Sequence, residues 1–275
     1  MRLSHKLLAG LCAAVLTFSF AGCGAAAPET SAEGSAKLVV GASPSPHAEI
    51  LEAVRDQLAE QGIELEIEEF TDYVMPNKAL ANGDLDANFF QHKPYLDNFN
   101  AENGTKLTSA GAIHFEPLGV YAGTTSDLSQ VPDGAKVAVP NDPTNEARAL
   151  QLLQAQGLLT LKEGAGLNAT VLDIVENPHN LEISELEAAQ LPRVLPSLDF
   201  AVINGNYAVD AGITDKVIVS EDKESEAAQT YGNIIAVREG DESRPEIQAL
   251  VKALQSEECR AFIEETYGTT VVPVF

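Results

Sequence analysis

The chain has 275 residues, 45% of them apolar, which is enough to bury a substantial core in one or two lobes. Against 41 acidic side chains it sets only 17 basic ones, a net charge of −24 at neutral pH. Phosphate backbones and anionic lipid headgroups need clustered Lys and Arg, so nucleic acid is excluded as an expected partner.

Arg2 and Lys6 precede an apolar run from Leu7 to Phe20, and the small residues Ala21 and Gly22 stand before Cys23. The run is about 14 residues, short of the roughly 20 a spanning helix needs, so a signal peptide over residues 1–22 is expected. Phe20-Ala21-Gly22-Cys23 resembles the bacterial lipobox, with Phe20 where an aliphatic residue is usual. That resemblance implies a Cys23 carrying diacylglyceryl and palmitate chains, anchored on the extracytoplasmic face of the cell membrane. Two or more acyl chains hold such an anchor stably. Residues 23–36, rich in Gly, Ala, Ser, Pro, Thr and Glu, have too little apolar area to fold and are expected to be a flexible tether. Loss of residues 1–22 leaves 15 basic against 41 acidic side chains, a net charge near −26. Cys12 lies in the signal and Cys23 is the anchor, so no internal disulfide is expected; Cys259 reads as a small buried hydrophobe.

From Lys37 the chain alternates strands and helices. Lys37 to Ala42 is a β-rich run, and Ser43-Pro44-Ser45-Pro46 turns into a helix whose Ile50, Leu51, Val54 and Leu58 recur at helical spacing until Gly62. Ile63 to Phe70 alternates apolar and acidic residues as a strand, and Val74 to Ala81 reads as a helix. This order implies parallel strands with helical crossovers. Strands are also expected at Lys106 to Ala112, Pro117 to Ala122, Lys136 to Pro140, Thr170 to Val175, Phe200 to Ile203, Lys216 to Val219 and Tyr231 to Val237. Asp142 and Pro143 open a helix as acidic N-cap and first-turn proline, and two helices fill Pro245 to about Tyr267. The rhythm restarts at Lys136, as it would in two lobes joined by crossings near residues 118 and 232.

The stretch Asn82 to Tyr95 pairs a turn with a short strand that delivers Phe89, Phe90 and His92 to a helix start. Side chains leaving the carboxyl end of a strand in an open α/β sheet line the ligand crevice. The three are therefore either pocket wall, or two core phenylalanines and a histidine helix cap.

No phosphate loop, dinucleotide fingerprint, nucleophile elbow or zinc-protease helix occurs. The histidines His5, His47, His92, His114 and His179 show no metal-ligand spacing, so neither metal, cofactor nor catalysis is expected. Arg148 and Asn145 share one face of the helix that starts at Pro143, and a guanidinium fork suits a carboxylate; Arg148 paired with a nearby acid is the alternative. Glu116 either accepts from an ammonium or is one more surface carboxylate. Asn204 and Asn233, at strand ends, are either site amides or turn formers.

Read together, several segments in order closely resemble the methionine-binding lipoprotein family, the substrate-binding components of methionine ABC importers. They are Asn88-Phe89-Phe90-Gln91-His92-Lys93-Pro94-Tyr95, Val139-Pro140-Asn141-Asp142-Pro143-Thr144-Asn145, Glu176-Asn177-Pro178, Glu187-Ala188-Ala189-Gln190-Leu191-Pro192-Arg193, Ala201-Val202-Ile203-Asn204 and Glu221-Asp222-Lys223-Glu224-Ser225. The resemblance implies an α/β, two-lobed periplasmic-binding-protein fold of type II character, with the ligand in the inter-lobe cleft. Lobe 1 would comprise 37–118 plus 233–275, and lobe 2 119–232. It implies a monomeric, non-enzymatic protein that captures L-methionine and delivers it to a permease and, through it, its ATPase. A different amino acid, a methionine-containing dipeptide, or a surface lipoprotein without a transport role are the alternatives. By the same resemblance Tyr73, Phe89, Phe90 and His92 would surround the thioether. Arg148, with Asn145 or Asn141, would hold the carboxylate, and Glu116, Asn204 and Asn233 would fix the ammonium.

Overall fold

A computed structural model describes residues 35–223 and 230–275. The signal peptide, Cys23 and almost all of the tether lie outside the described residues, as do Glu224 and Ser225. No helix among the described residues is long and apolar enough to cross a membrane.

Two sheets organise the chain, beside a two-stranded ribbon of β7 (Thr160–Leu161) and β8 (Ile174–Glu176). The first contains β1 (Ala36–Ala42), β2 (Ile63–Glu69), β3 (Ala87–His92), β4 (Leu107–Phe115), β12 (Asn233–Arg238) and β13 (Val272–Pro273), in the order β13-β4-β12-β3-β1-β2. β1 runs parallel to both β2 and β3, as the strand-helix alternation requires, and β12 is inserted antiparallel between β3 and β4. The second contains β5 (Gly119–Ala122), β6 (Lys136–Pro140), β9 (Glu182–Leu186), β10 (Phe200–Ile203) and β11 (Val217–Ser220), in the order β11-β5-β10-β6-β9. Each has its own apolar core: Leu38, Val40, Ile50, Leu51, Phe89 and Ile235 under the first, and Val137, Val139, Leu150, Leu153, Phe200 and Val202 under the second.

Local chemistry explains the boundaries, although the expected helix through Ile50 and Leu58 is two, α1 (Glu49–Ala53) and α2 (Arg55–Ala59), broken at Val54. α3 (Met75–Asn82) stops where Gly83 takes a left-handed conformation, φ 88°, which costs glycine little. α4 (Lys93–Asn103) has Pro94 in its first turn and is capped by His92, whose Nδ1 accepts from the Tyr95 N–H at 3.2 Å. α5 (Pro143–Ala155) has the expected cap, Asp142 accepting from the Asn145 N–H at 3.0 Å.

Three of the departures from the sequence expectation have a clear local cause. β4 continues through His114 and Phe115 rather than ending at Ala112, because β12 and β13 pair with its last residues. β9 follows from no expected strand; its alternating Glu-Ile-Ser-Glu-Leu is a weak β pattern made regular by pairing with β6. Of the expected strand Thr170 to Val175 only Ile174 and Val175 are extended, in β8; Val171–Asp173 is a 3-10 turn, since the Asp173 carboxylate accepts from both the backbone and hydroxyl of Thr170. That Thr-x-x-Asp capping box competes with a strand more strongly than β propensity favours one.

Candidate functional site

A cavity of about 340 Å³, its mouth included, takes its walls from both sheets. Its positions follow from register. Asn233, the first residue of β12, lies opposite His92 on one side and His114 on the other, so three polar residues form a row across one end of the first sheet. From the second sheet, Asn204 follows β10, and Arg148 and Asn145 stand in the first two turns of α5.

One end of the cavity is aromatic. Tyr73 lies 5.8 Å from Phe90, 5.8 Å from Tyr95 and 4.9 Å from Tyr207, ring centre to ring centre. The Tyr95 hydroxyl donates to the Tyr73 carbonyl at 2.9 Å, and the Tyr73 hydroxyl to Asn206 Oδ1 at 2.5 Å. Such rings offer apolar area and polarisable faces to an aliphatic or thioether chain.

The opposite end is polar. Arg148 is 4% exposed, with its guanidinium 4.4 Å above the Tyr231 ring. Its Nε donates to Glu221 Oε1 at 2.7 Å and its Nη2 to Glu221 Oε2 and to the Glu116 carbonyl at 2.9 Å; Nη1 takes no part in these bonds. Glu116, 5% exposed, has its carboxyl raised above the ordinary range by burial, against the pull of His47, the Asn206 backbone N–H and Arg148. Gly205 makes room for it: a Cβ there would lie 2.8 Å from Glu116 Cβ.

Between the ends runs a ladder. Asn145 Nδ2 donates to both oxygens of Asp142 at 3.0 Å, while Asn145 Oδ1 faces His92 Nε2 at 3.1 Å and accepts from Asn204 Nδ2 at 3.0 Å. Because His92 Nδ1 accepts from the helix, its proton sits on Nε2 and is donated to Asn145. Burial, and secondarily Arg148, lowers its pKa to about 3, so the ring is neutral. Asn204 Oδ1 is left buried without a partner at the cavity wall, an acceptor waiting for a donor.

Eight of the ten candidates line the cavity: Tyr73, Phe90, His92, Glu116, Asn145, Arg148, Asn204 and Asn233. Two do not. Phe89 alternates with Phe90 along β3, so its side chain turns into the core of the first sheet and is fully buried there. Asn141 is exposed, and its backbone N–H is spent on Leu186 at 2.9 Å. His92 is both helix cap and cavity wall, so the two alternatives for it were never exclusive. Arg148 likewise pairs with an acid, though inside the protein rather than on its surface.

The sequence pointed to neither Gln91, Tyr95, Gly205 nor Asn206, which also line the cavity. Gln91 belongs to a buried amide cluster with Asn77 and Asn88, bonded at 2.7 to 2.8 Å, a long-range match that sequence spacing does not display. It also gave no sign that His47, 67 residues from His114, joins that histidine and Glu116 in a buried group close enough to face one metal ion. Binding through Nε2 would need a proton on each Nδ1, and both Nδ1 atoms are buried without an acceptor. The group does not suit a metal.

Two sheet-centred lobes with a polar and aromatic cavity between them make this a two-lobed α/β binding protein of the periplasmic-binding-protein fold. A profile of the NlpA lipoprotein family matches residues 38–275, and the chain belongs to that family. The D-methionine-binding lipoprotein MetQ of Escherichia coli is 48% identical over 202 residues, 72% of this chain and 73% of that one. A nutrient-binding protein from Burkholderia cenocepacia, solved bound to methionine, is 48% identical with a TM-score of 0.82 over 86% of this chain and all of its own. A periplasmic substrate-binding protein of an ABC transporter from Coxiella burnetii is 40% identical with a TM-score of 0.81, also over 86% of this chain and all of its own.

Proposed function

We propose that the chain is the substrate-binding component of a methionine ABC importer, and that it captures L-methionine between its lobes and presents the closed form to a permease and its ATPase. The observation that carries this is the cavity's composition. A carboxylate and an unpartnered amide oxygen, an arginine, and a wall of aromatic rings together complement a zwitterion with an apolar side chain. The named relatives support methionine in particular. Glu116 and Asn204 receive the ammonium, Arg148 the carboxylate, and the rings around Tyr73 the thioether, each sulfur–aromatic contact contributing roughly 0.3 to 1.5 kcal/mol.

Residues 37–118 with 233–275, and 119–232, act as the two jaws, and closure is a population shift set by the ligand's preference for the closed form. The protein works as a monomer, tethered outside the cell membrane through a lipidated Cys23, and makes or breaks no bond in its ligand.

Thermal unfolding with L-methionine, D-methionine, leucine and methionine dipeptides tests the ligand. At a hundredfold excess over its dissociation constant a ligand adds about 2.7 kcal/mol, worth roughly 2 to 4 °C per kcal/mol in a chain of this size. A rise with L-methionine is expected; none with it beside a clear rise with another solute overturns the assignment.

A further inference from the structure

Behind Glu116 lies a group that amino-acid capture does not by itself require. His47, in the turn Pro44–Ala48, and His114, on β4, are both fully buried, with ring centres 4.9 Å apart. Their Nε2 atoms lie 3.3 and 2.8 Å from the same oxygen, Glu116 Oε1. Phe89 sets its ring edge-to-face against both, at 4.7 and 5.2 Å, so the phenylalanine that is missing from the cavity braces the imidazoles behind it.

The partners dictate the tautomers. His47 Nε2 faces two acceptors, Glu116 Oε1 and Asn233 Oδ1 at 3.1 Å, so it carries the proton; the same holds for His114 Nε2 against the carboxylate. Neither Nδ1 has a partner, so a second ring proton would leave a buried N–H unsatisfied. Both rings are neutral donors.

We propose that His47 and His114 are positioning residues for the cationic end of the ligand: His114 donates Nε2–H to Glu116 Oε1, and His47, whose Nε2–H is donated to Asn233 Oδ1, turns the same edge to that oxygen at 3.3 Å, so that the group is held as a carboxylate for an ammonium. This rests on the methionine-capture function above. A buried carboxylate without donors takes up a proton and loses its charge-assisted bond to the ammonium. Lys or Arg in place of the histidines would keep it ionised but would neutralise it. Neutral imidazoles supply the hydrogen bonds without the competing charge. The other groups that face Glu116 are Arg148, which lowers its pKa, and the phenols of Tyr73, Tyr121 and Tyr267, which its charge affects.

The test compares wild type, His114→Phe and His114→Gln in calorimetry with L-methionine and with 4-(methylthio)butanoate, the same molecule without its ammonium. His114→Phe keeps the ring shape without the donor and is expected to weaken L-methionine by ~10-fold or more, and the analogue by less than ~3-fold. Its affinity for L-methionine should recover as pH rises from about 6 to 8, while wild type stays flat. His114→Gln, which retains a donor, should lie within ~3-fold of wild type. An equal loss for both ligands, or no loss, overturns the inference while leaving methionine capture standing; a wild type that binds no L-methionine overturns both. If His114→Phe fails to fold, long-range ¹H–¹⁵N spectra of the wild-type imidazoles decide, since an Nδ1–H tautomer or an imidazolium on either ring at neutral pH overturns the inference.

Discussion

The guanidinium of Arg148 is held by the carboxylate of Glu221, 73 residues further along the chain, with Nε to Oε1 at 2.7 Å and Nη2 to Oε2. Glu221 also accepts from the Leu118 N–H at 2.9 Å, so it ties the backbone just before β5 to the cation in the cavity. The arginine is held by protein groups on two of its three nitrogens, and its charge is largely balanced by Glu221.

Arg148→Ala is expected to weaken L-methionine binding by more than ~10-fold in calorimetry, and also to destabilise the free protein by about 2 to 3 kcal/mol, because Glu221 loses its counter-ion. The double variant Arg148→Ala with Glu221→Ala should recover much of that stability in urea unfolding but none of the affinity. Equal stability of the single and double variants would show that the pair is not coupled.

Tyr73→Phe removes the hydroxyl that donates to Asn206 Oδ1 across the cleft at 2.5 Å and leaves the ring stack in place. A hydrogen bond of about 0.5 to 1.5 kcal/mol favours the closed form, so affinity should fall several-fold while the melting temperature of the free protein barely moves. Calorimetry beside thermal unfolding checks both halves.

Gly205→Ala places a methyl group 2.8 Å from Glu116 Cβ and 3.1 Å from its Oε2. The carboxylate must shift, and a loss of L-methionine affinity of more than ~10-fold is expected at a stability cost of about 1 to 3 kcal/mol. Unchanged affinity would detach Glu116 from the site.

Acid should weaken the fold through His47, His92 and His114, whose pKa values burial lowers to about 4, 3 and 3. Unfolded, each titrates near 6.5, so below that pH the unfolded chain binds more protons and stability falls as pH falls toward 4. Glu146, whose carboxyl burial raises to about 7, binds a proton in the folded state and opposes the trend. A net loss of about 2 kcal/mol between pH 6.5 and 5 is expected in urea titrations. Stability flat across this range would show that the histidines are not held neutral.

Glu146→Gln isolates the opposing contribution. Burial raises this carboxyl, and Glu185 adds to the effect, so its charge is a penalty present above pH 7 that protonation relieves. The amide keeps an acceptor for the Val171 N–H and should add about 1 kcal/mol at pH 8, roughly 2 to 4 °C, and nothing at pH 5.

Sequence by itself determined what is local. Helical spacing from Ile50 to Leu58, the Asp142-Pro143 cap, the apolar strand Phe200 to Ile203 and the aromatic pair at 89 and 90 each follow from a period or a turn residue within a few positions. Eight cavity residues are legible in the sequence, partly because strand ends and helix starts are where side chains and free backbone groups converge. Only the tertiary structure decided which way each pointed and what each met. Insertion of β12 between β3 and β4 aligns His92, Asn233 and His114, and alternation on β3 gives Phe90 to the cavity and Phe89 to the core behind it. Glu221 reaches Arg148, and His47 reaches Glu116, across 73 and 69 residues of chain, distances at which periodicity carries no information. Burial then gathered Glu116 and two histidines to which the sequence assigned no role into one buried cluster, because each is excluded from water only when the strands and turns around it have assembled.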